Sequence, residues 1–259
     1  MKILNGSELA GFVKERQANL VAEMDKKPKL VIVRDSYNPV IVKYVELKKR
    51  YGEDIGVVVE DCLADGEDDL REKILVANKD ATVSGIIVQL PLKDGVDTDK
   101  ILGLITPEKD VDGLSGEGKF DSATATAINW LLAGYDISLA DKKIALVGRG
   151  RLVGKPLYKI WNNSGYDVTI FHRGDNLEDL RNFDVVVTAT GAPHLIKNEM
   201  IRPGTVVVDA GTASEDGVLV GDIEEAVRER EDLAAITPKI GGVGPLTVGV
   251  LFENVIAAN

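Results

Sequence analysis

The sequence predicts an α/β protein made of two α/β domains, each built on a parallel sheet. Three observations carry that expectation. Seven short runs are almost continuously Val, Ile and Leu, as strands covered on both faces are. Charged, helix-like segments separate them, the alternation expected of βαβ units. The pattern also restarts after residue 140, so the 259-residue chain holds two such units rather than one.

In the first unit the strand-like runs are residues 29–34 (KLVIVR), 54–60 (DIGVVVE) and 83–90 (VSGIIVQL). Between the first two, Asn38 is a good N-cap, Pro39 a good first helical residue and Gly52 a good stop. Residues 122–134 (SATATAINWLLAG) have helical composition and join the units. The second unit follows with runs at 142–148, 167–173, 184–190 and 204–211. The final stretch, 244–259, is amphipathic and helix-like, and is expected to pack back on the first unit. The expected domains are therefore 1–121 plus 245–259, and 122–244.

Composition excludes several classes of function. With 44% hydrophobic and 28% charged residues the chain is an ordinary globular one, not a disordered one. Acidic residues outnumber basic ones 42 to 31, a net charge of −11, which argues against a nucleic-acid partner. Cys62 is the one cysteine, so neither an intrachain disulfide nor a cysteine-based zinc site is available. Two histidines, His172 and His194, leave little room for a histidine-centred metal site, and no metal is expected. The N-terminus lacks the apolar core of a signal peptide and no run of 18 apolar residues exists, so no membrane partner and a cytoplasmic, reduced setting are expected.

The second unit opens with a strand followed by Gly148-Arg149-Gly150-Arg151-Leu152-Val153-Gly154. Glycines there let the backbone turn tightly and approach a pyrophosphate, while the next helix offers its free N–H groups. The spacing is looser than G-x-G-x-x-G, and a plain strand-to-helix turn would use the same residues. The end of the next strand discriminates further. An acidic residue there suits the ribose hydroxyl of NAD, and a basic one the extra phosphate of NADP. That position reads His172-Arg173, with Asp175 two residues on. Together with Arg149 and Arg151 this favours NADP over NAD in a Rossmann-type domain. Solvated surface arginines are the plainer alternative, and Asp175 keeps NAD open.

In the first unit Tyr44 and Lys48 lie one helical turn apart on one face. A tyrosine packed on a lysine stem would produce the same pair. Gln89 closes the third strand-like run, at the end where open α/β sheets bind ligands. Residues 107–113 (PEKDVDG) hold two carboxylates flanking a valine. This could be a simple turn, yet an ionised Asp is also a good acceptor for a heterocycle presenting adjacent N–H and NH₂ donors.

YVELK (44–48), VQLPL (88–92), PEKDVDG (107–113), GRGRLVGKP (148–156) and TPKIGGVGPLT (237–247) stand in an order and spacing that resembles the bifunctional methylenetetrahydrofolate dehydrogenase/methenyltetrahydrofolate cyclohydrolase family. The likeness spans nearly the whole chain, with VQLPL followed by KDVDG its most specific part. It implies an N-terminal folate-binding domain completed by the C-terminal helix, a Rossmann-type NADP-binding domain, an active cleft between them and a homodimer joined through the cofactor domains. By position it implies Lys48 as the catalytic lysine, Tyr44 beside it, Gln89 hydrogen-bonded to it and Asp112 gripping the pterin. Val88, Leu90, Gly242, Val243, Gly244 and Pro245 would complete the folate side. Gly148, Arg149, Gly150, Arg151, Val153, His172, Arg173, Gly191 and Thr212 would hold the cofactor. The chain departs from the family at Ile41, at Ser122–Ala125, at Gly150 and at Lys239-Ile240, where a Ser, a Pro-Cys-Thr-Pro, a Ser and a Val-Pro are usual.

The implied chemistry is oxidation of a small-molecule folate, 5,10-methylenetetrahydrofolate, to a methenyl cation, then its hydrolysis to 10-formyltetrahydrofolate. A lysine serving as base at neutral pH must fall from ~10.4 by ~3.4 units, about 4.6 kcal/mol. Burial and an arriving cation both act in that direction.

Overall fold

The structure, a computed structural model, describes residues 1–215 and 218–259. The chain runs β1 (Lys2–Ile3), α1 (Gly6–Ala22), β2 (Lys29–Arg34), α2 (Pro39–Ile55), β3 (Val58–Leu63), α3 (Glu67–Lys79), β4 (Gly85–Val88) and α4 (Thr98–Leu102). It continues with α5 (Ala123–Gly134), β5 (Lys143–Val147), α6 (Gly154–Asn163), β6 (Asp167–Phe171), β7 (Val185–Thr188) and β8 (Val206–Asp209). It ends with β9 (Ala213–Glu215), β10 (Val218–Val220), α7 (Glu225–Arg228), β11 (Ala235–Ile236) and α8 (Val243–Ala257). Two compact units emerge, Gly11–Ala123 with Val248–Asn259, and Met1–Ala10 with Thr124–Thr247.

The first of these carries a parallel three-stranded sheet in the order β3-β2-β4. Because β2 is central and earliest in the chain, the path reverses direction between β2 and β4, and their carboxyl ends form the ligand edge. Leu70 and Ile74 of α3 are fully buried against Val31, Val33 and Ile86. The end of α8 is part of the same unit: Phe252 stacks on Tyr51 at 5.0 Å and the Asn254 amide donates to the Val111 carbonyl at 2.8 Å. Fully buried Gln17 donates to the Gly249 carbonyl at 2.8 Å and accepts from the Tyr51 hydroxyl at 2.8 Å.

Asn38 caps α2, its side chain accepting from the Val40 amide at 2.9 Å, and Pro39 follows as expected. The stop is not Gly52, however. That glycine lies inside the helix, where a Cβ would sit 2.4 Å from Val59 and 3.2 Å from the Phe252 ring. Close approach selects glycine there, and Gly56, left-handed at φ 79°, ends the helix. Residues 54–57 therefore finish α2 and turn, and the strand expected from 54 begins at Val58.

The other unit carries a parallel six-stranded sheet in the order β1-β11-β8-β7-β5-β6. The path reverses between β5 and β7, again setting a ligand edge at the carboxyl ends. Its core is fully buried Ala145, Val186, Val207, Ile196, Leu180 and Val227. The first ten residues group with this compact unit. Lys2 and Ile3 pair in register with Ala235 and Ile236, two short strands that no apolar run announces. Among the described residues no helix is long and apolar enough to cross a membrane.

Candidate active site

In the three-stranded unit, α2 buries Ile41, Val45, Gly52 and Ile55. Tyr44 and Lys48 flank that buried stripe and are each half-buried. The Lys48 ammonium Nζ donates to Gln89 Oε1 at 2.8 Å, and Gln89 Nε2 donates to the Leu90 carbonyl at 3.1 Å. The second bond orients the amide, so Gln89 is committed as an acceptor toward the lysine. Its own backbone N–H is tied to the Val33 carbonyl at 2.8 Å, just past the buried end of β4 at Val88. Burial pushes Lys48 below the ordinary lysine range, and attraction to Asp112 opposes this without cancelling it. Burial likewise pushes the Tyr44 hydroxyl up, so it stays protonated.

The 107–113 segment divides its labour. Lys109 donates to the carbonyls of Ala77, Asn78 and Asp80 at 3.0, 2.9 and 2.7 Å, capping the carboxyl end of α3. Asp110, 1% exposed, accepts from the amides of Gly113, Leu114 and Ser115 at 3.1, 3.3 and 2.9 Å and from the Ser115 hydroxyl at 2.6 Å. Asp112 is left to face Lys48. Burial pushes its carboxyl up to about 6, the lysine pulls it down by less, and Asp110 adds to the rise. Desolvation thus outweighs mutual attraction for both groups, and the pair is poised toward its neutral forms. Gly113 is left-handed at φ 66°, and a Cβ there would strike the backbone of Asp121 at 2.5 Å.

The six-stranded unit holds the nucleotide-type edge. Gly148 ends β5 at φ 96°, and a Cβ on it would lie 2.8 Å from the Ala189 carbonyl beyond β7. Gly154 opens α6, and a Cβ there would lie 2.1 Å from the Gly148 carbonyl. These close approaches make the turn tight, and it closes onto α6: the Lys155 amide donates to the Gly150 carbonyl at 3.0 Å and the Leu157 amide to the Val153 carbonyl at 2.9 Å. Val153 is buried beneath it, Arg149 and Gly150 are exposed, and Arg151 is half-buried. Gly191 is left-handed at φ 66°, with its Cβ position 3.6 Å from the Thr212 carbonyl, so these two residues are neighbours. His172 and Arg173 are exposed at the end of β6. The Asp175 carboxylate folds back to accept the His172 amide at 2.6 Å. Gly242, Val243, Gly244 and Pro245 form the entry and first turn of α8, within this unit.

Behind that edge stands a buried network that sequence reasoning missed. Asp222, fully buried, accepts from the Thr188 hydroxyl at 2.6 Å and the Thr190 amide at 2.7 Å. Asp209 accepts from the amides of Gly211 and Asp222 at 3.0 and 3.1 Å and pairs with Arg228. Arg228 also donates to the Thr237 carbonyl at 2.6 Å. One network therefore fixes the ends of β7, β8 and β11. Asp209, closing the apolar run VVVD, was legible as a strand-end carboxylate; Arg228, inside the charge run EEAVRERE, was not. Among the described residues no cluster of metal-ligating side chains occurs.

A family model described as tetrahydrofolate dehydrogenase/cyclohydrolase, catalytic domain, matches residues 4–112, and its NAD(P)-binding counterpart matches 122–259. The chain is 38% identical to the bifunctional protein FolD of Lactobacillus delbrueckii subsp. bulgaricus, over 98% of this chain and 96% of that one. It superposes on the bifunctional FolD crystal structure from Campylobacter jejuni with a TM-score of 0.92 at 30% identity, covering 100% and 98% of the two chains. The Trypanosoma brucei enzyme, solved with NADP cofactor and inhibitor, gives 0.91 at 29% identity, covering 99% and 96%.

Proposed function

Since the chain belongs to the tetrahydrofolate dehydrogenase/cyclohydrolase family, we propose that it oxidises 5,10-methylenetetrahydrofolate to 5,10-methenyltetrahydrofolate with NADP and hydrolyses that product to 10-formyltetrahydrofolate. One observation carries the reading: a lysine held below its ordinary range by burial, 2.8 Å from an oriented amide, in one unit with an aspartate at about 6.

The turn fits NADP. The close approaches at Gly148 and Gly154 exclude any side chain and fold the turn tightly against the N-terminus of the ten-residue helix α6. Exposed Arg149 and Arg173 suit the extra phosphate, and the Asp175 carboxylate is engaged with its own turn. NADP, when bound, supplies the acceptor for the hydride leaving the one-carbon bridge.

Lys48 is the proton acceptor of the hydrolytic step and does not hinder the oxidative one. A neutral amine does not oppose the cation that oxidation creates. Its N–H donates to Gln89, which leaves its lone pair to take a proton from the water adding to that cation. Asp112, ionised above about 6, accepts from the adjacent N–H and amino donors of the pterin. Tyr44, one turn before Lys48, covers the ring. Val88 and Leu90 hold Gln89 from either side, and Gly242 to Pro245 contribute the remaining folate contacts. Gly191, Thr212 and Val153 support the cofactor with Gly150, Arg151 and His172. We place the enzyme in the cytoplasm as a homodimer joined through the NADP unit, whose sheet ends in the open strand β6, with its product serving purine biosynthesis.

Absorbance of methenyl-folate, followed with NADP⁺ and NAD⁺ in parallel, tests the reading. Formation with NADP⁺ and its subsequent decay by hydrolysis are expected. Tight NADP binding without turnover of the folate would overturn it.

A further inference from the structure

Two aspartates stand two residues apart, and only Asp112 is free to meet a ligand. Asp110 is almost wholly buried, and four donors converge on it from the three residues that follow Asp112. The Cβ position of Gly118 lies 2.8 Å from its Oδ2, so the returning chain is packed against the carboxylate as well. On the other side, the Ile86 amide of β4 donates to the Lys109 carbonyl at 2.8 Å, anchoring the loop to the sheet. The loop is thus held at its root by β4 and at its tip by Asp110, with Asp112 between the two points.

We propose that Asp110 is the positioning residue of the folate site: it folds the 110–115 loop so that Asp112 is presented toward Lys48, and its charge stands behind that of Asp112. This rests on the reading of Asp112 as the folate-binding carboxylate. The charged groups that act on Asp112 are Lys48 from α2, which favours its ionised form, and Asp110 from its own loop, which opposes it. A neutral residue at 110 would leave the lysine opposed by burial alone. The purpose of a second buried carboxylate is then twofold. It supplies acceptors for amides that would otherwise be orphaned, and its charge adds to the burial that already disfavours ionised Asp112.

Two substitutions separate these effects. Ser115→Ala removes one of the four bonds without changing charge. It is expected to raise KM for methylenetetrahydrofolate by about 3-fold, as loss of one hydrogen bond does, with KM for NADP and the pH profile unchanged. Asp110→Asn removes the charge and keeps one acceptor oxygen, enough for two of the four donors. It is expected to move the acidic limb of kcat/KM, near about 6 in the parent, downward by about half a unit. An unmoved limb in Asp110→Asn, or equal rises in both KM values in Ser115→Ala, overturns the proposal. Asp112→Asn serves as the reference. If it leaves the folate KM unchanged, the reading beneath the proposal fails with it; if it raises that KM while Asp110→Asn leaves the limb in place, this proposal fails alone.

Discussion

The two ligand edges share a topology and treat charge in opposite ways. At the edge of the three-stranded sheet Lys48 and Gln89 are half-buried and bonded to each other, and desolvation moves both Lys48 and Asp112 toward neutrality. At the edge of the six-stranded sheet Arg149 in the turn and Arg173 beyond β6 reach solvent, while the buried charges stand behind the loops, Asp209 paired with Arg228 and Asp222 held by the Thr188 hydroxyl and the Thr190 amide. The difference is physical. A group that must change protonation near neutral pH has to be removed from water; a group that only attracts a phosphate works best when its charge is permanent and accessible.

Substitutions can break that contrast. Asp112→Ala has the largest expected effect on binding: kcat/KM for methylenetetrahydrofolate falls about 100-fold, the size of a charged hydrogen-bond pair, while NADP affinity measured by fluorescence titration stays the same. Equal weakening of both ligands would place Asp112 in the framework of the fold rather than in the site. Next comes Arg173→Ala, expected to raise KM for NADP about 10-fold and leave KM for NAD alone. If both cofactors suffer alike, the arginine holds the turn and does not read the phosphate.

A smaller effect sharpens the comparison through stability. Asp112 has its proton affinity raised by folding, so it favours the folded state below its ordinary 3.8, and that contribution is lost as pH rises through about 6. Asp112→Asn should therefore gain about 2 °C in Tm over the parent at neutral pH and gain little in acid. A gain independent of pH would contradict the desolvation account.

Much of this was readable in the residues. Apolar runs located the long strands, Asn38 and Pro39 located the start of α2, and the spacing of Tyr44 and Lys48 put both on one side of it. What escaped was decided by contacts between distant segments. Gly52 resembles a helix stop and is a point of close approach to Val59 and Phe252. Two-residue strands such as Lys2–Ile3 carry no periodicity of their own and exist because a partner strand is there. In KDVDG the two carboxylates look equivalent; only the folded loop shows that Asp110 is consumed by its backbone while Asp112 lies within the field of Lys48. Arg228 carries the same charge as its neighbours and is set apart by where its helix lands.

The central claim is that a desolvated Lys48 serves as the proton acceptor for hydrolysis and is dispensable for hydride transfer. Lys48→Met, assayed for both steps on one preparation, tests it directly. The account predicts that methenyl-folate still forms with NADP⁺ at a measurable rate and then accumulates, its decay no faster than in buffer. Hydrolysis at the parent rate in that variant would contradict it.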